Sequence, residues 1–364
     1  MSLQASAAVY REGTTVTVET IEVGDPRAGE VRVRVHASGI CGSDRHVLDG
    51  EWHVPSPTVM GHEGAGVVEA VGPGVTHLAP GDHVVLVWNQ GCELCSHCLS
   101  GRPWACRHQR SNDCLMPDGT TRLHQDGTEL FAYIAVGSLS EYAVVPASAA
   151  IKVPEELPFE VGALIGCSVA TGVGAVLNNA RVAAGSSAVV IGCGGVGLSV
   201  VMGLRLAGAE KIIAVDVSEE KVDLARKLGA THTVLAGDDS AQRVIELTGG
   251  GADYCFEAIG NPRTIAQVPS YLGTAGTGVF VGMPPEGVQV GFDVLNLCYS
   301  GQTLIASNYG GCVPARDFPR YAALYLSGQL PVDRLITERI KLDEVNAAFE
   351  RMRGGEGARN VVML

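Results

Sequence analysis

A glycine-rich stretch between an apolar strand and an apolar helix constrains the fold of this chain more than any other feature. Gly192, Gly194 and Gly197 stand in the pattern G-x-G-x-x-G, directly after the apolar run 188–191. Taken alone, this pattern is equally compatible with an ordinary glycine-rich turn. A second apolar run, however, ends in Asp216, 19 residues after Gly197, which is the spacing of a dinucleotide-binding βαβ unit. The context therefore predicts a parallel α/β unit around this loop.

Each glycine of this loop has its own task if a dinucleotide binds there. Gly192 permits a tight turn, Gly194 lets the backbone approach the pyrophosphate, and Gly197 lets the helix pack closely. Gly195 and Val196 lie within the loop and lead into the predicted helix 198–207, whose N-terminus offers free N–H groups and the positive end of the helix dipole to the phosphates. These five residues are therefore predicted to bind the cofactor.

The acidic residue at the end of the second strand predicts which dinucleotide binds. Asp216 would accept hydrogen bonds from the adenosine ribose hydroxyls and would repel a 2′-phosphate. The next residues, Val217 and Ser218, offer no arginine for such a phosphate. The alternative, a solvated strand end, fits this spacing poorly. We therefore expect NAD rather than NADP.

The chain of 364 residues is too long for one ordinary core and predicts two domains. Short apolar stretches broken by turns predict an antiparallel β-rich first part, with strands at 31–35 (one face buried), 65–71 and 84–87. From about 186 to 305, strands alternate with helices, which predicts a parallel sheet covered on both faces. The clearest elements there and beyond are strands at 212–215, 278–281 and 360–364 and helices at 198–207, 219–228 and 342–352.

Four closely spaced cysteines predict a structural zinc site. Cys92, Cys95, Cys98 and Cys106 form C-x2-C-x2-C-x7-C. Four thiolates in one short loop can close around Zn²⁺ tetrahedrally and leave no open position, so the ion would pin the loop rather than catalyse. Four free or paired cysteines are the alternative, and this spacing disfavours it.

Other potential ligands are dispersed along the chain. Cys41, His62 and Cys167 are each more often core residues than ligands when taken singly, and spacing alone does not show that they converge. A Cys₂His set would leave a fourth position open for water or substrate, as a catalytic zinc requires. The chain has eleven cysteines, an odd number that fits a disulfide framework poorly. The remaining five are interpreted as buried or incidental: Cys114, Cys193, Cys255, Cys298 and Cys312.

Charge and composition argue against several partners. The net charge of −13 disfavours nucleic acid, because phosphate binding needs a basic surface. No uninterrupted apolar run of about 18 residues occurs, so we expect no membrane span. Residues 1–4 show no basic region followed by an apolar run, so we expect no signal peptide and a cytoplasmic location.

These motifs together resemble the zinc-containing alcohol dehydrogenases of the medium-chain dehydrogenase/reductase superfamily, over essentially the whole chain. The resemblance rests on Cys41-Gly42-Ser43-Asp44, on Gly61-His62-Glu63 followed by Gly66, on the four-cysteine lobe, on Cys167 with Thr171, and on the glycine loop with Asp216. It implies an α/β protein with a GroES-like β-rich catalytic domain and a Rossmann domain with a doubly wound parallel sheet. The implied division is 1–168 with a zinc lobe at about 91–107, then 169–308, with 309–364 returning to the catalytic domain.

The resemblance also implies roles for individual residues. Cys41, His62 and Cys167 would bind the catalytic zinc, which with the lobe gives two zinc ions per chain. Glu63 would enter the coordination transiently, and Asp44 would orient His62. Ser43 and His46 would relay the proton of the alcohol to solvent; their alternatives are a helix N-cap and a surface residue. Further cofactor contacts are implied for three residues: Thr171, Lys221 and Arg359.

The substrate is the most open question in the sequence. The stretch 307–311 resembles the class III branch, which oxidises thiol adducts of formaldehyde, and Arg110 stands where that branch binds the adduct's carboxylate. The branch usually has His or Arg and then Thr where this chain has Gly42 and Ser43. With Trp52 and Trp88 as pocket residues, or else ordinary core, we expect a primary alcohol, aromatic or of medium length, and its aldehyde. A thiol–formaldehyde adduct is the alternative.

The sequence disfavours two rival functions and leads us to expect an oligomer. A zinc-free reductase of the quinone reductase type is disfavoured by Cys41, His62 and Cys167. A non-enzymatic cofactor-binding protein is disfavoured because no reaction-centre motif is missing. We expect a small-molecule alcohol or aldehyde as partner, with no nucleic acid and no membrane, and a homo-oligomer, either dimer or tetramer.

Overall fold

The computed structural model describes residues 3–12, 15–109 and 111–364, and these fall into two compact units. The first unit contains the chain up to Cys167 together with Val313–Gly328 and Ile336–Leu364. The second contains Ser168–Cys312 and Gln329–Leu335. Residues 309–312 and 329–335 thus pack with the second unit, whereas the sequence-based division placed all of 309–364 in the catalytic domain.

Two sheets form the first unit. One is a closed barrel in the order β1-β2-β7-β8-β4, and the other has the order β10-β6-β5-β3-β18-β17, with β9 also pairing with β3. Their strands, in chain order, are β1 (Leu3–Tyr10), β2 (Thr17–Val23), β3 (Glu30–Gly39), β4 (Thr58–Val59), β5 (Glu63–Val71), β6 (His83–Leu86), β7 (Leu123–Gln125), β8 (Thr128–Ala132), β9 (Tyr142–Pro146), β10 (Ala150–Lys152), β17 (Ile336–Ile340) and β18 (Arg359–Met363).

Strand β3 lies at the centre of this unit, and the face formed by its valines is buried, as its alternating sequence predicts, whereas Arg34 on the other face is exposed. The polar member Arg32 is buried too, because Asp25 and Glu69 pair with its guanidinium at 3.0 and 2.6 Å. A buried charge needs such partners. The α-helices of this unit are Gly42–Leu48, Ser96–Leu99, Phe159–Leu164, Pro314–Leu326 and Val345–Arg353.

The second unit is built on a parallel sheet with the order β13-β12-β11-β14-β15-β16. Its strands are β11 (Ser187–Ile191), β12 (Lys211–Asp216), β13 (His232–Leu235), β14 (Ala252–Glu257), β15 (Leu272–Phe280) and β16 (Thr303–Ala306), and its α-helices are Ala170–Gly174, Gly195–Ala207, Glu219–Leu228, Ser240–Thr248, Pro262–Tyr271 and Val294–Ser300. The chain runs outward from β11 on one side and returns through β14 on the other, so the strand order reverses between β11 and β14, and a crevice is expected at their carboxyl ends. The α/β prediction is confirmed.

One helical segment, Phe159–Ala180, is long and apolar enough by composition to cross a bilayer. Its most apolar window is 89% buried inside the protein, as in a core helix. Two stretches within it, Ile165–Val169 and Ala175–Ala180, are π-helical. Such widened turns often occur where a helix carries a functional side chain.

Candidate active site

The register of two strands brings the dispersed ligand candidates together. β3 and β5 are antiparallel and pair Gly39 with Glu63, so the residue at the start of the helix after β3, Cys41, faces His62. Cys167 reaches the same point from the π-helical stretch Ile165–Val169. The donor atoms of Cys41, His62, Glu63 and Cys167 lie within 4.8 Å of one another, and all four residues are buried.

Asp44 ties this donor set to the backbone. Its carboxylate accepts from the N–H of Cys41 at 3.0 Å and from the N–H of Gly61 at 3.2 Å. The Nδ1 atom of His62 lies 3.4 Å from the same carboxylate, which leaves Nε2 for a metal. Burial opposes a charge on His62, but the Asp44 carboxylate raises its pKa well above the ordinary value.

The two thiols of this site strongly affect each other. The pKa of Cys41 lies well below its ordinary value, chiefly because the Cys167 thiol can hydrogen-bond to the Cys41 thiolate. The pKa of Cys167 is raised well above its ordinary value by the same contact and by burial. Two sulfur donors and an imidazole in a buried site are the ligands that zinc prefers. The donor chemistry therefore fits a catalytic zinc.

Glu63 is the fourth donor, and it differs from the other three in that its carboxylate lacks hydrogen bonds. Neither of its carboxylate oxygens has a hydrogen-bond partner among the described residues, although Arg359 Nη2 lies 3.8 Å from Oε1. Burial raises the pKa of Glu63 to about 8, against a lowering effect of Arg359. A buried carboxyl without hydrogen bonds is costly unless something pairs with it. A cation at the donor set would be such a partner.

The four-cysteine lobe has the geometry of a closed metal site. Sγ of Cys95 lies 3.6 Å from Sγ of Cys98 and 4.0 Å from Sγ of Cys106, and Cys92 Sγ lies 4.0 Å from Cys98 Sγ. Tetrahedral zinc with bonds of about 2.3 Å places its sulfurs about 3.8 Å apart. Backbone N–H groups of Cys98 and other residues lower the pKa of Cys95 to about 5, which favours the thiolate. These sulfurs fit one structural zinc.

The glycine loop of the second unit has the shape of a phosphate cradle. Gly192 has φ +91°, and a Cβ on it would lie 2.4 Å from Cγ1 of Ile259. A Cβ on Gly197 would lie 1.7 Å from the carbonyl oxygen of Gly192. At Gly194, by contrast, a Cβ would meet no described atom within 4 Å. The loop is therefore closed towards the protein and open at Gly194, where a pyrophosphate would approach.

Asp216 at the end of β12 is held in place by this loop. One carboxylate oxygen accepts from Cys193 N–H at 2.7 Å and the other from Ser218 N–H at 3.0 Å. The hydroxyl of Ser218 in turn caps the next helix by accepting from the N–H of Lys221 at 3.4 Å. Asp216 and Lys221 are thus anchored at the carboxyl end of β12. Thr171 lies in the helix Ala170–Gly174 of the same unit.

The two relay candidates lie on the helix Gly42–Leu48. The Ser43 hydroxyl is 3.8 Å from Cys41 Sγ, so it adjoins the donor set. His46 is buried, and its Nδ1 pairs with the carboxylate of Glu51. The N-cap of this helix is Cys41, so Ser43 is not the N-cap. His46 is buried, so it is not a surface residue.

The two tryptophans proposed for the pocket lie in different surroundings. Trp88 meets the imidazole of His62 edge-on, with ring centroids 6.4 Å apart. Trp52 instead stacks on His46, at 4.5 Å between centroids. Arg110, the third residue proposed for the substrate, lies outside the described residues.

Three features of the site escaped the sequence-based reasoning. The Tyr133 hydroxyl donates to the backbone oxygen of Ser43 at 2.9 Å, and its ring meets His62 at 5.5 Å. Glu51 pairs with His46. Arg359, proposed as a cofactor contact, donates to the Ile40 oxygen at 3.3 Å and lies beside Glu63. No sequence signal links Tyr133 to Ser43, because 90 residues separate them.

Comparisons with known proteins agree with this geometry. Residues 27–155 match the alcohol dehydrogenase GroES-like domain, and residues 195–327 match the zinc-binding dehydrogenase family. S-(hydroxymethyl)glutathione dehydrogenase of Paracoccus denitrificans is 38% identical over 375 residues, covering 99% of this chain and 100% of the relative. The class-3 alcohol dehydrogenase of Cereibacter sphaeroides is 37% identical, covering 100% of both.

Solved structures give the same picture. An alcohol dehydrogenase zinc-binding domain protein from Burkholderia ambifaria is 39% identical with a TM-score of 0.95, over 100% of both chains. Benzyl alcohol dehydrogenase from Acinetobacter calcoaceticus is 34% identical with a TM-score of 0.94, over 100% of this chain and 99% of that one. The chain therefore belongs to the zinc-dependent, NAD-linked alcohol dehydrogenases of the medium-chain dehydrogenase/reductase superfamily.

Proposed function

We propose that this chain interconverts a primary alcohol, aromatic or of medium length, and its aldehyde, with NAD as the hydride carrier. The observation that carries the proposal is the buried donor set of Cys41, His62, Glu63 and Cys167 with the apolar ring of Trp88 beside it. Zinc held by Cys41, His62 and Cys167 would leave a fourth position for the substrate oxygen. The full-length similarity to a benzyl alcohol dehydrogenase supports an aromatic substrate.

The proposed mechanism assigns a task to each residue around the donors. Zinc held by Cys41, His62 and Cys167 supplies a Lewis acid when bound. Asp44 keeps His62 in the orientation and tautomer that leave Nε2 for the metal. The Ser43 hydroxyl, next to the donors, accepts the proton of the alcohol while it passes its own proton on through the nicotinamide ribose, and His46 takes that proton and delivers it to solvent.

The proposed cofactor contacts lie around the glycine loop. The open face at Gly194 and the N–H groups at the start of helix Gly195–Ala207 receive the pyrophosphate. Asp216, anchored by the loop backbone, accepts from the adenosine ribose, which favours NAD over NADP. We also assign Thr171, Lys221 and Arg359 to the cofactor; Arg359 retains a buried Nε–H with no partner in the described part of the chain.

The test follows NADH formation with a panel of alcohols. Benzyl alcohol and medium-chain primary alcohols should give the highest kcat/KM, and a chelator that removes zinc should abolish turnover. Cys41→Ser is the matched inactive variant, because it removes one zinc ligand. A zinc-loaded protein that oxidises no member of the panel contradicts the proposal. Higher kcat/KM with NADP than with NAD contradicts the cofactor assignment.

The second candidate substrate is a thiol adduct of formaldehyde. It is favoured by the 38% identity to an S-(hydroxymethyl)glutathione dehydrogenase. Arg110 would pair with a carboxylate of the adduct. Arg110→Ala separates the candidates: a tenfold loss of kcat/KM for an adduct, or about 1.4 kcal/mol, with simple alcohols unaffected would make the adduct the substrate.

We further propose a cytoplasmic homo-oligomer, dimer or tetramer. The helix Val294–Ser300 exposes Val294 (66%), Leu295 (66%) and Tyr299 (83%), next to β16 at the edge of the sheet. Exposed apolar clusters beside an edge strand favour association. Sedimentation of the wild type and of Tyr299→Glu tests this, and a wild-type monomer at micromolar concentration contradicts it.

A further inference from the structure

The segment after the helix Gly42–Leu48 folds back onto His46. The backbone oxygen of His46 accepts from the N–H of Glu51 at 2.8 Å and from the N–H of Trp52 at 3.1 Å. Both residues are thereby fixed next to the imidazole by their own main chain. The sequence from His46 to Trp52 forms a closed loop, which we call the His46 clamp.

Two side chains of the His46 clamp contact the imidazole from different directions. The Glu51 carboxylate pairs with Nδ1 in the plane of the ring. Trp52 covers a face of the ring, with centroids 4.5 Å apart and planes inclined by 20°. The imidazole is thus restrained in plane and in rotation, and Nε2 is the nitrogen that this clamp leaves open.

A neighbouring acid does not compete for this role. Asp49 is paired with Arg353 at 2.7 Å and with Arg45 at 3.4 Å. Glu51, whose side chain is 36% exposed, makes its contact with His46 instead. The Glu51 carboxylate is therefore the one that pairs with the imidazole, while Asp49 is paired with two arginines.

A carboxylate at one ring nitrogen decides which nitrogen carries the proton. Nδ1–H donates to the carboxylate, so in the neutral imidazole Nε2 has the free lone pair and accepts a proton. Without an acceptor at Nδ1, the proton moves readily to Nε2, which then cannot accept one. In serine proteases a carboxylate with this task is worth about 10⁴ in kcat.

We propose that Glu51 is a positioning residue that holds His46 in the Nδ1–H tautomer, with Trp52 fixing the ring, so that Nε2 accepts the proton released in alcohol oxidation. The inference rests on the proposed function of His46 as a relay. In this step an O–H bond on the substrate side breaks and the Nε2–H bond forms. That Nε2–H proton then passes to water.

The test combines a tautomer measurement with kinetics on the zinc-loaded full chain. Ring-¹⁵N histidine NMR at a pH where imidazole is neutral reports the tautomer, and His46→Gln assigns the resonance. In Glu51→Ala, His46 should shift to mainly Nε2–H, and kcat for alcohol oxidation should fall about tenfold or more with KM changed less than about twofold. Glu51→Gln keeps the size of the side chain but replaces the carboxylate by an amide, whose NH₂ can donate to Nδ1, so it should also lose the Nδ1–H tautomer. Glu220→Ala removes an equal charge at an exposed helical position and should change neither.

The outcomes separate this inference from the proposed function. An unchanged tautomer in Glu51→Ala overturns it, and so does a shifted tautomer with unchanged kcat. If Glu51→Ala does not fold, retention of the Nδ1–H tautomer in Glu51→Gln would overturn it instead. If wild-type protein oxidises no alcohol, the proposed function fails, whereas the tautomer measurement still decides whether Glu51 sets the proton on His46.

Discussion

Replacing Asp44 by asparagine removes one charge and one acceptor oxygen from the support of the catalytic donors. Asp44 is fully buried and serves three donors: Cys41 N–H on one oxygen, and Gly61 N–H and His62 Nδ1 on the other. Asparagine has a single acceptor oxygen, so one orientation keeps two contacts and loses that of Cys41. The opposite orientation keeps one contact and turns an amide NH₂ towards His62.

The expected loss of zinc affinity follows from the number of hydrogen bonds that Asp44→Asn removes. At best one buried N–H loses its partner, which costs about 1–3 kcal/mol. Partners of this kind typically contribute 10–100-fold to metal affinity, or about 1.4–2.8 kcal/mol. We therefore expect Asp44→Asn to weaken the catalytic zinc about 10–100-fold. The structural zinc should be unaffected, because none of its cysteines contacts Asp44 in the described structure.

Competition with a chromogenic chelator measures both sites in one protein. Asp44→Asn should release one zinc at low chelator and the second at the wild-type concentration, and excess zinc should restore activity. Asp238→Asn, an exposed position, is the matched control. Catalytic zinc affinity within twofold of wild type would refute the reasoning that Asp44 supports the site through His62 and Cys41.

Three further predictions address the lobe, Glu63 and the glycine loop. Cys95→Ser should lower the melting temperature with the catalytic zinc retained, whereas Cys41→Ser should abolish turnover with the melting temperature nearly kept; zinc analysis and calorimetry check both. In protein stripped of zinc, the pKa of Glu63 is raised from 4.5 in the unfolded chain to about 8 in the folded protein. The folded state therefore gains stability from the protonated carboxyl below pH 4.5, and this gain is lost as the pH rises to about 8. Glu63→Gln should remove that part of the pH dependence of the urea midpoint, and parallel curves for variant and wild type would contradict it. Gly194→Val should weaken NAD binding without loss of stability, because its Cβ meets open space, while Gly197→Val should reduce both, since its Cβ would lie 1.7 Å from a loop oxygen; calorimetric titration and melting curves distinguish them.

The parts of this protein that the sequence predicts well are those encoded by neighbouring residues. The helix Glu219–Leu228 has the predicted bounds, and the four lobe cysteines adjoin one another as their spacing indicates. The fold class is confirmed because strand–helix alternation and the glycine loop are local patterns. Strand β3 buries its valine face as predicted, but Arg32 on the other face is buried as well, because Asp25 and Glu69 pair with it, and no local pattern identifies these partners.

Features that depend on tertiary register were beyond the sequence. Only the pairing of Gly39 with Glu63 shows why Cys41 and His62 are neighbours. From the sequence, their common role as zinc ligands could be inferred only from the resemblance to a family. The His46 clamp is local, yet five residues separate Glu51 from His46, and helical periodicity ends at Leu48. The chain reversal that joins them is a loop conformation, for which periodicity carries no signal.

The contrast between the two zinc sites has a consequence for how the protein assembles. The lobe cysteines lie within one short loop, so their ion can bind while the rest of the chain is still unfolded. The catalytic donors are brought together by β3, β5 and the helical stretch Ile165–Val169, so they converge only after distant segments have paired. We therefore expect the lobe to acquire its metal early in synthesis and the catalytic site to acquire its metal last. On unfolding the order reverses, so that denaturant should release the catalytic ion before the structural one.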